Sequence, residues 1–203
     1  PDAVATDSEG NVYVTDAAGY IRKFDVDGRY LATFGGPGAE NGKFLAPTGL
    51  TVDGQGTIFV VDWDTNFIQK LDASGNYVTH WGPVAPDDSL NQPNDIKLDR
   101  SGNYYVVDYG KNRVIKYDAG QNFMRFIPDP GSWPAGVEGY NRPTGLAIDD
   151  EGNVYVADTG SSRILVFDSE ANFVRAWGGE GAGDDQLNKP NKLAIGPNGE
   201  IYV

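Results

Sequence analysis

Five times this chain begins the same phrase: a proline, two variable residues, a short apolar stretch, an Asp-x-x-Gly turn, then an aromatic residue and an apolar run ending in Asp. It reads PDAVATDSEGNVYVTD from Pro1, PTGLTVDGQGTIFVVD from Pro47, PNDIKLDRSGNYYVVD from Pro93 and PTGLAIDDEGNVYVAD from Pro143. A partial fifth copy, PNKLAIGPNGEIYV, starts at Pro190, so the copies are separated by 46, 46, 50 and 47 residues. A period in the forties, built from short strands, is the mark of a β-propeller with one blade per repeat.

Each repeat divides into four strands. In the fourth copy, Leu146-Ala147-Ile148 and Asn153 to Ala157 flank an Asp-Asp-Glu-Gly turn, and Arg163 to Phe167 and Phe173 to Trp177 flank a second turn. Asp at the start of such a turn and Gly where φ is positive are what tight turns select. The expectation is an all-β fold of four complete four-stranded antiparallel blades, approximately residues 1–46, 47–92, 93–142 and 143–189, with the first two strands of a fifth in 190–203. Unpaired edges are expected at such an arc, which reads as a segment of a larger ring.

If strand one lines the axis and strand four the rim, the Asp-bearing turns share one face, and the short second–third turns and long inter-blade loops share the other. Fourteen of the 29 acidic residues then fall on the turn face. Turns such as Asp25-Val26-Asp27-Gly28 lack the downstream bidentate Glu of a calcium loop, so their carboxylates are read as turn caps. Phe44, Leu90, Tyr140 and Leu187, each three residues before a blade-opening proline, are read as plugs of the seams between blades. Strand four ends aromatic-Gly in Phe34-Gly35, Trp81-Gly82 and Trp177-Gly178, and the third copy breaks this pattern.

Composition narrows the partners. A net charge of −13 disfavours nucleic acid, which selects a basic face, and anionic membrane surfaces. No apolar run is long enough to span a bilayer. Cysteine is absent, which removes disulfides, thiolate metal sites and a cysteine nucleophile, and histidine occurs once, at His80. A lone histidine does not supply a three-ligand catalytic zinc site. No Gly-x-Ser-x-Gly or phosphate loop is present.

The stretch PTGLAIDDEGNVYVADTGSSRILVFDSEANFVRAWGG resembles an NHL repeat, including its Asp158 to Arg163 segment, and Asp108 to Val114 repeats that feature in the third copy. The first two copies carry Tyr20 and Phe67 where the arginine stands. The resemblance covers essentially the whole chain. It implies a six-bladed propeller, in a complete domain of about 280 residues, that binds proteins, RNA or glycans. Relatives in extracytoplasmic bacterial proteins imply a secreted or periplasmic setting.

Two functional readings follow. In the first, the domain is a non-catalytic platform that needs no cofactor and binds a protein, peptide or glycan through its long-loop face, with Trp63, Tyr109, Trp133 and Tyr140 as contacts. The longest inter-blade loop, IPDPGSWPAGVEGYNR from Ile127 to Arg142, presents Trp133 among prolines, and rigid aromatics bind at little entropic cost. Trp133 folding back over the blade edge is the competing reading. In the alternative, a metal-dependent propeller enzyme, resembling lactonases or amidating lyases, holds Ca²⁺ or Zn²⁺ at the channel mouth on Asn94, Asp95 and Asn191. The Asp that ends strand two in each copy (Asp16, Asp62, Asp108, Asp158) is read as architecture: it accepts backbone N–H groups and pairs with Arg113 or Arg163 in two blades.

Overall fold

The computed structural model describes residues 1–82 and 89–203. Apart from two short 3₁₀ turns, all regular structure among these residues is β-strand. Two compact units divide the chain at Leu98. The first holds β1 (Val4–Thr6), β2 (Val12–Thr15), β3 (Tyr20–Phe24), β4 (Tyr30–Gly35), β5 (Pro47–Val52), β6 (Ile58–Asp62), β7 (Phe67–Leu71), β8 (Tyr77–Trp81) and β9 (Pro93–Leu98). The second holds β10 (Tyr104–Asp108), β11 (Arg113–Tyr117), β12 (Phe123–Ile127), β13 (Pro143–Ile148), β14 (Val154–Asp158), β15 (Arg163–Phe167), β16 (Phe173–Gly178), β17 (Ala194–Ile195) and β18 (Ile201–Tyr202).

The strands pair in chain order into four-stranded sheets, β1 to β4, β5 to β8, β9 to β12 and β13 to β16, followed by the two-stranded β17–β18. These are the four full blades and partial fifth that the repeat predicts. Second strands are the most enclosed: every residue of β6 and β10 is buried. They read as continuous apolar runs because both faces are covered, whereas the outermost strands β4 and β16 keep exposed positions. Each third–fourth pairing slips register at the same place, after Lys23, Lys70, Lys116 and Val166. This repeated bulge bends the outer hairpin identically in every blade.

The Asp turns are built as expected, and more completely. Asp7 Oδ1 accepts the backbone N–H of Glu9 (3.0 Å) and Asn11 (2.9 Å), while Oδ2 accepts Asn11 Nδ2 (2.9 Å) and the Tyr13 hydroxyl (3.1 Å). Asp99 repeats this set with Ser101, Asn103 and Tyr105, and Asp149 with Glu151, Asn153 and Tyr155. The motif is thus Asp-x-x-Gly-Asn-x-Tyr, with Gly10, Gly102 and Gly152 at φ near +80° (+81°, +79° and +85°). Burial pushes the Asp7 carboxyl up, but the bonds from Asn11, Tyr13 and Glu9 outweigh it and bring its pKa down to about 2. Asp149 and Asp168 are lowered against the same burial, and Asp72 and Asp118 by their asparagine hydrogen bonds.

Seams between blades are filled as the sequence requires. Phe44, from the loop before β5, is fully buried in a cluster with Tyr13, Ile21, Leu50, Ile58, Val60 and Leu71. In the second unit, Leu187 packs partly buried against Ala147, Ala157, Ile164 and Leu193.

Because the turn carboxylates have folded pKa values below the ordinary 3.8, their stabilisation is present above the unfolded value and is lost as pH falls through the folded one. The melting temperature should therefore stay level from pH 7 to about 5 and fall between about pH 4 and pH 2. Asp7→Asn should lower it at pH 7 while making little difference at pH 2, measured by thermal unfolding followed by circular dichroism.

Candidate functional site

The site is best approached through the four Asp residues that end the second strands, because they position the loops. Asp62 has no exposure. It accepts Asp64 and Thr65 N–H from its own turn (both 3.1 Å) and Leu45 and Ala46 N–H from the incoming inter-blade loop (2.8 and 3.3 Å). Asp158, equally buried, binds Arg163 Nε at 2.7 Å and accepts Asn141 N–H at 2.5 Å. Asp108 binds Arg113 Nε at 2.7 Å. Asp16 pairs with Arg22 at 2.9 Å, so the first blade finds its arginine on the strand rather than at Tyr20. The sequence reading anticipated the turn and the arginines but missed the clamp on the incoming loop.

Arg163 extends this clamp. Its Nη2 donates to the carbonyls of Glu138 (2.7 Å) and Gly139 (3.1 Å), so the Asp158–Arg163 pair fixes the far end of the 127–142 loop. The near end is fixed by Tyr140, whose hydroxyl donates to the Ile127 carbonyl at 2.7 Å. Burial, and secondarily the Asp158 charge, raise this phenol well above its ordinary pKa.

Between these anchors Trp133 folds back onto the sheet. Its ring meets Tyr140 edge-on (centroids 5.1 Å apart) and Phe167 edge-on (5.8 Å). The register gives the reason. Ile127 pairs with Val114 just as Phe34 pairs with Ile21, so Ile127 stands where the first blade has its strand-four aromatic. The smaller side chain leaves the seam underfilled, and Trp133 packs against the cluster that contains Ile127 and Phe167. Its indole remains half-buried rather than enclosed.

The other side of this arrangement is a cavity of about 260 Å³ lined by Asn112, Arg113, Phe126, Ile127, Pro128, Pro130, Trp133 and Tyr140. Arg113 lies over the Phe126 ring, 5.1 Å from guanidinium carbon to centroid. The 3₁₀ turn Tyr109–Lys111 leads to Asn112 in the left-handed region at φ 50°. There, Asn112 Oδ1 accepts the N–H of Arg142 at 2.7 Å.

Of the four aromatics proposed as contacts, Trp133 and Tyr140 are brought together in this cavity. Tyr109 begins the turn that ends at Asn112, and Trp63 lies in the first unit, on the turn after β6, where its N–H donates to Ala46 O at 2.9 Å. Asn112, Arg113, Phe126, Pro128 and Pro130 were missed. The available signal was the lost aromatic-Gly pair at the end of β12.

The residues proposed for a metal are placed differently. Asp95 is buried on β9, and its Oδ1 lies 2.7 Å from Lys97 Nζ, so a cation already faces that carboxylate. Asn94 neighbours it in the first unit. Asn191 lies in the second unit, exposed, and its backbone carbonyl accepts from Thr144 Oγ1 at 2.8 Å. Thr48 likewise donates to Pro93 O at 2.9 Å, making these post-proline hydroxyls blade-to-blade ties. Among the described residues no group of three or more His, Cys, Asp or Glu is arranged to hold a metal ion. His80 is exposed on β8, with Nδ1 2.7 Å from the Tyr77 hydroxyl.

Four-stranded antiparallel blades that follow one another in chain order define a β-propeller. Solved structures support the fold. One is a Bacteroides caccae protein of unknown function (TM-score 0.66, 16% identity, covering 97% of this chain and 67% of that one). Another is a catalytically inactive virginiamycin B lyase from Staphylococcus aureus with quinupristin (TM-score 0.68, 16% identity, covering 98% of this chain and 60% of that one). Residues 140–167 match the NHL repeat, within a chain whose strands pair as propeller blades. No curated protein sequence matches it.

If Trp133 replaces a missing strand-four aromatic, the two positions are energetically coupled. Trp133→Ala should cost about 2–3 kcal/mol, below the roughly 3–5 of a fully buried aromatic. Ile127→Phe alone should cost about 1–3 kcal/mol by overpacking. The double variant should recover at least about 1 kcal/mol relative to their sum, read from urea unfolding as a double-mutant cycle.

Proposed function

We propose that this propeller is a non-catalytic recognition module whose binding face is the long-loop side, centred on the 127–142 loop. The observation that carries this reading is the cavity of about 260 Å³ that the loop forms where the repeat is broken. The other two inter-blade loops described in full close on themselves through parallel bridges, Pro37 with Phe44 and Glu180 with Leu187. The 127–142 loop is instead stiffened by Pro128, Pro130 and Pro134 and offers aromatic surface beside polar groups. An apolar concavity with a few placed polar groups is the usual form of a binding site. Tyr109 adds to this face, and Trp63 occupies the corresponding turn of the second blade. The partner is a protein, peptide or glycan.

Screening the purified protein on arrayed peptides and glycans tests this. Pro130 is exposed, so Pro130→Asp should leave the melting curve intact while weakening captured ligands at least tenfold. Ligands held equally well by Pro130→Asp and Tyr109→Ala would place binding elsewhere.

A second reading, a metal-dependent propeller enzyme, is favoured by the fold likeness to virginiamycin B lyase. Asn94 and Asp95 would offer oxygen donors to Ca²⁺ or Zn²⁺, which would supply Lewis-acid polarisation of a substrate oxygen. The Lys97 ammonium beside Asp95 opposes a cation there. Elemental analysis of the purified protein should show less than 0.1 equivalent of either metal; one equivalent, lost in Asp95→Ala, would establish the enzyme reading instead.

A further inference from the structure

We propose that the cavity beside Trp133 takes a proline-rich peptide segment, a ligand class deduced from which hydrogen-bonding groups the cavity still has to offer. The inference rests on the recognition reading above and makes it specific.

The walls are apolar: Phe126, Pro128, Pro130 and the Trp133 ring. What matters is the polar inventory at their edge. Asn112 Oδ1 is committed to the Arg142 N–H (2.7 Å). That bond orients the amide and leaves the Nδ2 hydrogens as donors without a protein acceptor among the described residues. Trp133 makes ring contacts only, so its indole N–H is a second uncommitted donor. The Arg113 guanidinium is a donor as well, but its charge is offset by Asp108 at 2.7 Å. The site is therefore not an anion trap.

Side-chain acceptors are few. No carboxylate lines the cavity. Four of the loop carbonyls are engaged: Ile127 O by the Tyr140 hydroxyl, Asp129 O by the Ser132 hydroxyl and N–H, and Glu138 and Gly139 O by Arg163. The side chains at the cavity edge thus offer donors in excess of acceptors.

This separates the candidate classes. Every sugar hydroxyl carries an O–H as well as lone pairs, and burying that O–H without an acceptor is penalised. An ordinary peptide has the same difficulty with its backbone N–H groups. A prolyl residue has no N–H, only an acceptor carbonyl and an apolar ring. Its needs match a donor-rich edge over aromatic walls. Proline-rich segments also hold an extended polyproline II form before binding, so less conformational freedom is lost on docking. At about 260 Å³ the cavity is near the lower end of ligand sites, roughly 300–1,000 Å³, and suits a short side-chain motif.

The test is a titration of the ¹⁵N-labelled protein with acetyl-hexaproline-amide, acetyl-hexa-alanine-amide carrying solubilising terminal lysines, and chitohexaose. The Trp133 indole N–H signal, assigned with Trp133→Phe, is the readout. Hexaproline should bind at least tenfold tighter than the alanine peptide and shift that signal downfield. Asn112→Asp keeps the Oδ1 acceptor for Arg142 and tolerates a left-handed backbone, but it turns the donor into a carboxylate. It should weaken hexaproline at least tenfold with the melting curve unchanged. Hexaproline binding no tighter than the alanine peptide, or equally well to Asn112→Asp, overturns the proposal. Chitohexaose moving the indole signal while hexaproline does not would overturn it too, yet leave the recognition reading standing.

Discussion

A carboxylate taken out of water costs several kcal/mol unless hydrogen bonds and opposite charges replace its hydration, and this chain buries one at the same place in three blades. Asp62, Asp108 and Asp158 have no exposure at all. Such a group acts as a demand on its surroundings, because the fold is stable only when donors are delivered to it. Asp62 collects four backbone N–H groups, two from its own turn and two from the loop entering the blade. Asp158 collects the Asn141 N–H and an arginine that goes on to hold two loop carbonyls. In the second and fourth blades the carboxylate thus ties the blade to the connection that precedes it, and the connection takes a fixed path.

That constraint explains why a proline-interrupted loop forms a defined concavity. From Pro128 to Arg142 the chain has no sheet partner, and most of its hydrogen bonds run to the loop itself or to the Asp158–Arg163 pair. Clamped at both ends, it has one way to fill the seam that Ile127 leaves short, which is to lay Trp133 against Phe167 and Tyr140. The same ring is then a structural plug on one face and a wall of the cavity on the other. Folding back over the blade edge thus leaves the indole lining a concavity.

How much of this could be read from the sequence depends on the range of the interactions. Strands, turns and their Asp caps follow from contacts within about six residues, and the repeat states those contacts several times over, so they appear where expected. The plugs Phe44 and Leu187 were legible because their distance from the proline is fixed. The Asp95–Lys97 pair was accessible in principle, since residues two apart on a strand share a face, but it was overlooked. The clamp of Asp62 on Leu45, 17 residues back, and the exchange of Trp133 for a strand-four aromatic were not legible, because nothing local fixes where a loop returns. Absence of aromatic-Gly in the third copy announced a gap without saying what fills it.

The acidity of the chain takes on a different meaning in this light. A net charge of −13 suggests a surface made for cations, yet the turn carboxylates that make up much of it are already coordinated. Asp7, Asp99 and Asp149 each accept two backbone N–H groups, an asparagine amide and a tyrosine hydroxyl. A carboxylate offers about four lone-pair positions, so each of these is saturated by the protein, and a metal ion would have to displace those bonds to enter. Lys23 and Lys116 add an ammonium group near Asp7 and Asp99, at 3.4 and 3.9 Å. Much of the negative charge is therefore a by-product of solving the same turn in every blade. Two donors with hydrogen-bonding capacity to spare, Asn112 Nδ2 and the Trp133 indole, lie where the repeat fails, beside the 127–142 loop.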